Sequence, residues 1–247
     1  MKIFNEIAAD YQKIREKITY PAKLYEFLAG LTDKHDSALD ISCGNGVSSV
    51  MLTKHFRRVT GIDLGEALIK HAKENYPEIE FMVCKAEDVE FRQKFDLITS
   101  ATSFYWMERE QVIAKMPSLL RSGGVFCCYK YDFPLIYGEL RDIINLELAN
   151  KWQQYRDRRL IKYDDSYDLL VKSANFTRVE EFIIPNIIEL TAVEIAKFFL
   201  STSYVANYIK SSNNSSYPAY LIQLLEEHAG KEKVKVRFDI YSTYASI

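Results

Sequence analysis

Residues 39–51 read LDISCGNGVSSVM. An apolar run ends in an acid, Asp40, and Gly44 and Gly46 follow with one residue between them. The spacing then turns helical. A glycine turn between a strand and a helix lets backbone N–H groups approach a ligand closely, and the helix offers its positive end. The stretch therefore predicts a strand, a ligand-binding turn and a helix, the opening of a βαβ unit.

Working outward, the alternation continues. SALDIS (37–42) reads as a buried strand and GVSSVMLTKHF (46–56) as a helix. RVTGID (58–63) is a second strand, ending at Asp63, and GEALIKHAKENY (65–76) is a helix stopped near Pro77. IEFMVC (79–84) and FDLITSA (95–101) are the third and fourth strands. EREQVIAKMPSLL (108–120) is a helix closed by Ser122-Gly123-Gly124, and GVFCCYKY (124–131) is the fifth strand. Strands alternating with helices through short turns mean a parallel sheet, and right-handed crossovers make it doubly wound.

Beyond Tyr131 the character changes. Residues 138–160 read as one long charged helix, RVEEFIIPNIIEL (178–190) as a strand, and residues 191–210 and 217–228 as helices. In KVKVRFDIYSTY (233–244), Val234, Val236, Phe238 and Ile240 share one face, and Lys235, Arg237 and Asp239 the other. That period of two fits an antiparallel strand with one wetter face. The last two strands are expected to pair, with helices 191–228 inserted between them. The fold class is α/β: a Rossmann-like, doubly wound, seven-stranded mixed sheet with a helical lid. Residues 1–247 are read as a single domain, with a helical cover at 1–30, a cofactor-binding core at 38–131, and lid or substrate elements at 135–175 and 191–228.

Charge is balanced: 32 basic against 34 acidic side chains, net −2. This argues against broad attraction to nucleic acid or anionic lipid. The N-terminal segment lacks an apolar signal core, and no apolar run approaches the ~20 residues needed to span a bilayer. Cys43, Cys84, Cys127 and Cys128 show no CxxC spacing and read as reduced thiols of a cytoplasmic protein. No metal-ligand pattern is present, and a monomer or homodimer is expected.

A dinucleotide turn wants G-x-G-x-x-G, and here Ser49 stands in the third glycine's place. Asp40, four residues before Gly44, would repel a pyrophosphate but suit an ammonium group. Asp63 can hydrogen-bond two ribose hydroxyls. The turn suits a ligand with a cationic amine at one end and a ribose at the other. S-adenosylmethionine fits that description better than NAD.

LDISCGNG, VTGID, CKAEDVEF, FDLITSATSFYWM and LLRSGGVF occur in this order. Together they resemble the motifs of class I S-adenosylmethionine-dependent methyltransferases over residues 38–130. The opening AADYQKIREKITYP, with SFYW and FFLSTSYV, resembles the small-molecule subset that includes trans-aconitate methyltransferase. The resemblance implies that Asp40 holds the donor's amino group, directly or through water. Gly44 and Gly46 would let the loop approach its methionine part, and Ser42 and Cys43 would also bind the cofactor. It implies that Asp63 binds the ribose, that Leu64 lies against the adenine, and that Ala86 and Glu87 lie near the adenine edge. Tyr11 and Arg15 would fold over the cofactor. Ala101 and Thr102 would lie beside the reacting methyl, and Tyr105, Trp106, Tyr131 and Tyr204 would shape the acceptor site. S-adenosylhomocysteine would be the product.

Two positions depart from the family pattern. Ser42 replaces a usual glycine, and its Cβ implies a backbone that avoids strongly positive φ. Lys85 stands where an Asp often contacts the adenine amino group. A base is needed only for a protonated nucleophile, and none of His35, His55, His71 or His228 falls in a segment expected to line the substrate side. No catalytic residue is assigned. The expected reaction is methyl transfer to a small-molecule acceptor such as a carboxylate, held by Arg15, Lys130 or Arg141. Tyr20, Phe104 and Trp152 are further aromatic candidates. A quinone-precursor or RNA methyltransferase, a non-catalytic S-adenosylmethionine-binding protein and a nicotinamide-dependent oxidoreductase are the alternatives.

Overall fold

Every residue of β1 (Ser37–Ile41) is buried, so it can only be an interior strand with both faces covered. The computed structural model describes residues 14, 17, 18, 20–161, 164–173, 175–230 and 232–247. In chain order the elements begin with α1 (Ala22–Gly30), β1, α2 (Ser49–Leu52), β2 (Arg58–Asp63), α3 (Glu66–Asn75) and β3 (Glu80–Val83). Next come β4 (Phe95–Ala101), α4 (Arg109–Leu119), β5 (Leu120–Tyr131), β6 (Leu135–Ile136), α5 (Leu140–Glu147), α6 (Arg158–Ile161) and α7 (Ser166–Lys172). The remainder is β7 (Arg178–Ile184), β8 (Ile187–Leu190), α8 (Ala192–Leu200), α9 (Ser203–Ser212), α10 (Tyr217–Ala229), β9 (Val234–Arg237) and β10 (Ile240–Ser246).

The chain divides into two units. The sheet unit comprises Tyr20–Tyr131, Tyr163–Ile184 and Ile240–Ile247. Its seven strands run in the order β3-β2-β1-β4-β5-β10-β7. The first five are parallel, and β10 is antiparallel to both β5 and β7. On one face, Ala38, Leu97, Val125 and Cys127 pack with Leu24, Leu28, Leu52, Phe56 and Ile69. On the other, Leu39, Ile41, Ile98 and Phe126 pack with Val112, Ile113, Met116 and Leu170. Each such fully buried aliphatic side chain contributes about 1.5–3 kcal/mol. The helical unit comprises Asp132–Lys162 and Pro185–Asp239 with the described residues before Tyr20. Its strands form a small antiparallel sheet in the order β6-β9-β8. A capping box of Thr191 and Glu194 starts α8, and the buried Trp152 stacks on Phe199 at 5.1 Å.

Several expected elements are redrawn. The helix of 46–56 shortens to one turn, because Thr53 Oγ1 donates to Val50 O at 2.7 Å and the following bonds mix three- and four-residue spacings. Ser122-Gly123-Gly124 does not close α4; it lies inside β5, where the register against β4 slips after Phe95. The long helix of 138–160 breaks at Leu148–Trp152 into a wide turn, then a tight one at Gln153–Tyr155. RVEEFIIPNIIEL splits at Pro185 into β7 and β8, which belong to different sheets. KVKVRFDIYSTY splits likewise, into β9 and β10. The expected pairing of these two segments holds in both sheets. Helix α1 and helix α7 belong to the sheet unit.

Candidate active site

Strand order locates the site. From β1 the chain steps outward to β2 and β3, then returns to place β4 on the other side of β1. Ligands of open α/β sheets bind beyond the strand ends at such a switch point. There the backbone is strained at two side-chain-bearing positions, Ser42 with φ 55 after β1 and Thr102 with φ 53 after β4. The expectation that Ser42 avoids positive φ is overturned. Cys43 N–H donates to Ile62 O of β2 at 2.9 Å, which turns the chain sideways at once and forces the left-handed conformation on Ser42. Such a conformation costs a non-glycine residue about 1–2 kcal/mol. Ser42→Gly is expected to raise the unfolding free energy by about 1 kcal/mol in chemical denaturation; an unchanged or lower midpoint would contradict the strain.

The two glycines of the turn serve different ends. Gly44 has φ 58, and a Cβ there would meet nothing within 4 Å. Open space lies over it. Gly46 has φ 86, and a Cβ there would sit 2.8 Å from Phe81 and 3.0 Å from Tyr76. Gly46 therefore seats the turn on two rings, and Gly44 leaves room above it.

Asp40 is fully buried. Ser49 Oγ donates to its Oδ2 at 2.6 Å and Thr99 Oγ1 to its Oδ1 at 3.0 Å. Among the described residues no cation pairs with it. Burial pushes the carboxyl up to about 6, the two hydroxyl donors pull it back, and the charge of Asp63 adds to the rise. A carboxylate so covered presents no exposed surface of its own. Asp63 is half-buried at the end of β2. Gly44 N–H donates to its Oδ2 at 2.9 Å and Gly65 N–H to its Oδ1 at 2.8 Å. One carboxylate thus ties the glycine turn to the start of α3, and each oxygen keeps lone pairs for a ligand. Leu64, next in the chain, is 67% exposed.

The other expected residues separate. Ala86 is buried. Glu87 is buried too, accepting from Glu108 N–H at 2.8 Å with Lys85 Nζ 3.9 Å away. Its carboxylate is a tie to the start of α4 rather than an open acceptor. Ala101 and Thr102 follow one another at the end of β4, and the Thr102 hydroxyl bonds to the Tyr20 hydroxyl. Trp106 is 46% exposed, with Tyr105 5.2 Å away, centre to centre. Phe104 is core, edge-on to Phe126 at 5.5 Å, and not a site residue. Tyr131 lies 6.2 Å from Tyr20. Cys43 is buried, and its thiol is pushed well up by burial and by Asp40. Tyr204 and Trp152 belong to the helical unit, with rings 6.2 Å apart. Tyr11 and Arg15 lie outside the described residues.

Sequence reasoning missed a hydroxyl chain beneath the turn. Tyr25 donates to Ser48 Oγ at 3.2 Å, and Ser48 Oγ bonds to the Tyr129 hydroxyl at 2.7 Å. Burial pushes both phenols well up, so they stay neutral. The signal was the Ser48-Ser49 pair, of which one serves this chain and the other Asp40.

Residues 38–124 match the profile of a methyltransferase domain family. Over 248 residues the chain is 26% identical to a Dictyostelium discoideum protein classed as a methyltransferase without an assigned acceptor, covering 96% of this chain and 92% of that protein. It is 32% identical over 92 residues to malonyl-[acyl-carrier protein] O-methyltransferase of Acetivibrio thermocellus, covering 35% of this chain and 32% of that one. The solved structure of a type II methyltransferase from Anaeromyxobacter dehalogenans shares the fold, with a TM-score of 0.77 at 20% identity over 92% of this chain and 97% of that one. No helix among the described residues is long and apolar enough to cross a membrane. The matched domain, the relative spanning nearly the whole chain and the seven-stranded fold together support a class I S-adenosylmethionine-dependent methyltransferase.

Proposed function

We propose that the chain methylates an oxygen of a small organic acid, with S-adenosylmethionine bound over Gly44. The carrying observation is the pair of acids at the ends of β1 and β2: Asp63 pinned by two backbone N–H groups, and Asp40 buried with no cation beside it among the described residues. When bound, S-adenosylmethionine supplies an electrophilic methyl on a positively charged sulfur. In this proposal the spare lone pairs of Asp63 accept the ribose hydroxyls, and exposed Leu64 meets the adenine face. Ala86 lies at the adenine edge, where the engaged Glu87 leaves backbone groups to do the binding. Asp40 places a negative charge under the cationic end of the donor, where low dielectric strengthens it. Ala101 and Thr102 border the transferred group, and Tyr105 and Trp106 border the acceptor.

An acceptor that arrives ionised is favoured by the histidines. His35 bonds Ala29 O at 3.0 Å, His71 lies 3.6 Å from Glu74, and His228 bonds Leu224 O at 2.8 Å. His35 and His71 engage residues of the sheet unit away from the C-terminal ends of β1 and β4, and His228 belongs to the helical unit. With these three histidines engaged elsewhere, the proposed reaction rests on alignment, and positioning alone can supply up to roughly 7–11 kcal/mol. The Acetivibrio relative matches only 35% of this chain, so its acceptor carries no weight here.

Calorimetric titration with S-adenosylmethionine, S-adenosylhomocysteine and NAD tests the donor reading. Saturable binding of the first two and none of NAD is expected. No donor binding by folded protein would overturn it. Donor binding without turnover of any organic acid in a broad panel would overturn the acceptor and leave a non-catalytic binder.

A further inference from the structure

Arg156, in the helical unit, has no counterion among the described residues. It follows the irregular stretch Leu148–Tyr155. Its guanidinium carbon lies 5.4 Å from the ring centre of Phe133 and 5.9 Å from that of Tyr204. Those rings belong to a larger aromatic wall, since Phe133 lies 5.3 Å from Phe199 and Tyr204 lies 6.2 Å from Trp152. The Nε of Arg156 is buried and has no hydrogen-bond partner, and among the described residues no carboxylate pairs with its head group. Three other cations of the same unit are paired. Lys151 holds Glu147 at 2.7 Å, Arg159 holds Asp157 at 2.9 Å, and Arg141 holds Asp142 at 2.9 Å.

Ring faces attract a guanidinium from above and below. They offer nothing in its plane, where its five N–H donors point. A buried donor left unpaired is costly, so the arrangement is completed by a ligand that brings in-plane acceptors. A carboxylate brings two at the right spacing. The aromatic wall beside it suits a planar or apolar body, and keeps water from weakening the pair. A guanidinium-bound carboxylate has its lone pairs engaged and is a poor nucleophile, so the group held here is the anchor and not the reacting oxygen.

We propose that Arg156, framed by Phe133 and Tyr204, is a carboxylate-binding site that selects planar organic acids through a non-reacting carboxylate. That such an acid is the methyl acceptor rests on the function proposed above; its binding does not. The test is titration of protein saturated with S-adenosylhomocysteine, using trans-cinnamate and its neutral amide as probes. Wild type should bind the acid roughly tenfold or more tightly than the amide. Arg156→Gln should erase that preference while leaving S-adenosylhomocysteine affinity unchanged. Arg156→Lys keeps the charge without the planar fork and should retain only part of the preference, and it stands in should Arg156→Gln fail to fold. Equal binding of acid and amide by wild type, binding of neither, or a preference that survives both substitutions would overturn the site. Normal S-adenosylhomocysteine binding alongside any of these sinks Arg156 alone. Absent S-adenosylhomocysteine binding with the acid preference intact sinks the donor reading alone.

Discussion

Asp40→Asn should abolish useful donor binding and make the empty protein more stable. A carboxyl raised from its ordinary 3.8 to about 6 carries an ionisation cost of about 3 kcal/mol at neutral pH. The sign follows from proton binding. Between pH 4 and 6 the folded chain holds a proton on Asp40 that the unfolded chain has lost, so stability falls as pH rises through that window and stays low above it. Asparagine removes the cost and keeps the packing. Ser49 can donate to its oxygen, and its amide can donate to Thr99 Oγ1, whose proton turns to Leu39 O at 3.5 Å. A gain of about 1–3 kcal/mol is expected, which is several degrees in Tm for a chain this size. Donor affinity should drop about 100-fold or more, the scale of leaving a charge unpaired in a buried pair. In wild type it should also fall as pH drops through about 6, and in the variant it should not. A lower Tm for Asp40→Asn, measured by scanning calorimetry without donor, would contradict the reading of Asp40 as an uncompensated charge.

Asp63→Ala should also abolish donor binding, but with the opposite effect on the fold. Its carboxylate bonds Gly44 N–H and Gly65 N–H, so truncation frees the glycine turn and the start of α3 together. Two bonds to a charged acceptor would be lost from the ribose, at about 1.5–3 kcal/mol each. A loss of donor affinity of about 100-fold or more follows. The empty protein should lose about 1–2 kcal/mol, with faster amide exchange at Gly44 and Gly65. Retained donor affinity would remove Asp63 from the site. The two acids therefore separate in one experiment: both silence binding, one raising Tm and the other lowering it.

The parallel half of the fold was legible because each element carries its own period. FDLITSA became β4 residue for residue, and RVTGID became β2. The antiparallel half was less so, because alternation does not say which sheet a strand joins. KVKVRFDIYSTY keeps its period of two across Phe238 and Asp239, yet the chain changes sheet there. Phe238 N–H bonds Asn186 O at 2.7 Å and Asn186 N–H bonds Asp239 Oδ1 at 3.3 Å, pairing that break with the one at Pro185. In the site, Asp40, Gly44 and Asp63 were readable from spacing. The engagement of Glu87 was not, because its partner is a backbone N–H some twenty residues away. Nor was Arg156, whose ring neighbours Phe133 and Tyr204 lie far from it in sequence and whose importance rests on a missing partner. Ser42 misled for the opposite reason: its Cβ predicts a relaxed backbone, and the bond from Cys43 to Ile62 overrides it.

Strand β10 lies inside the sheet, antiparallel to β5 on one side and β7 on the other. During synthesis, β3-β2-β1-β4-β5 can assemble as soon as residue 131 has emerged, but the outer flank of β5 stays unpaired for more than a hundred further residues. β7 can find its place only after residues 240–246 have been made. The contacts that close the sheet are thus among the most distant in the chain, which makes closure slow. Until then β5 offers bare N–H and C=O groups along VFCCYK, an apolar run suited to pairing with another nascent chain. A chain stopped just short of residue 240 would keep the whole glycine turn and yet expose that flank permanently, and aggregation would silence it before any loss of chemistry did.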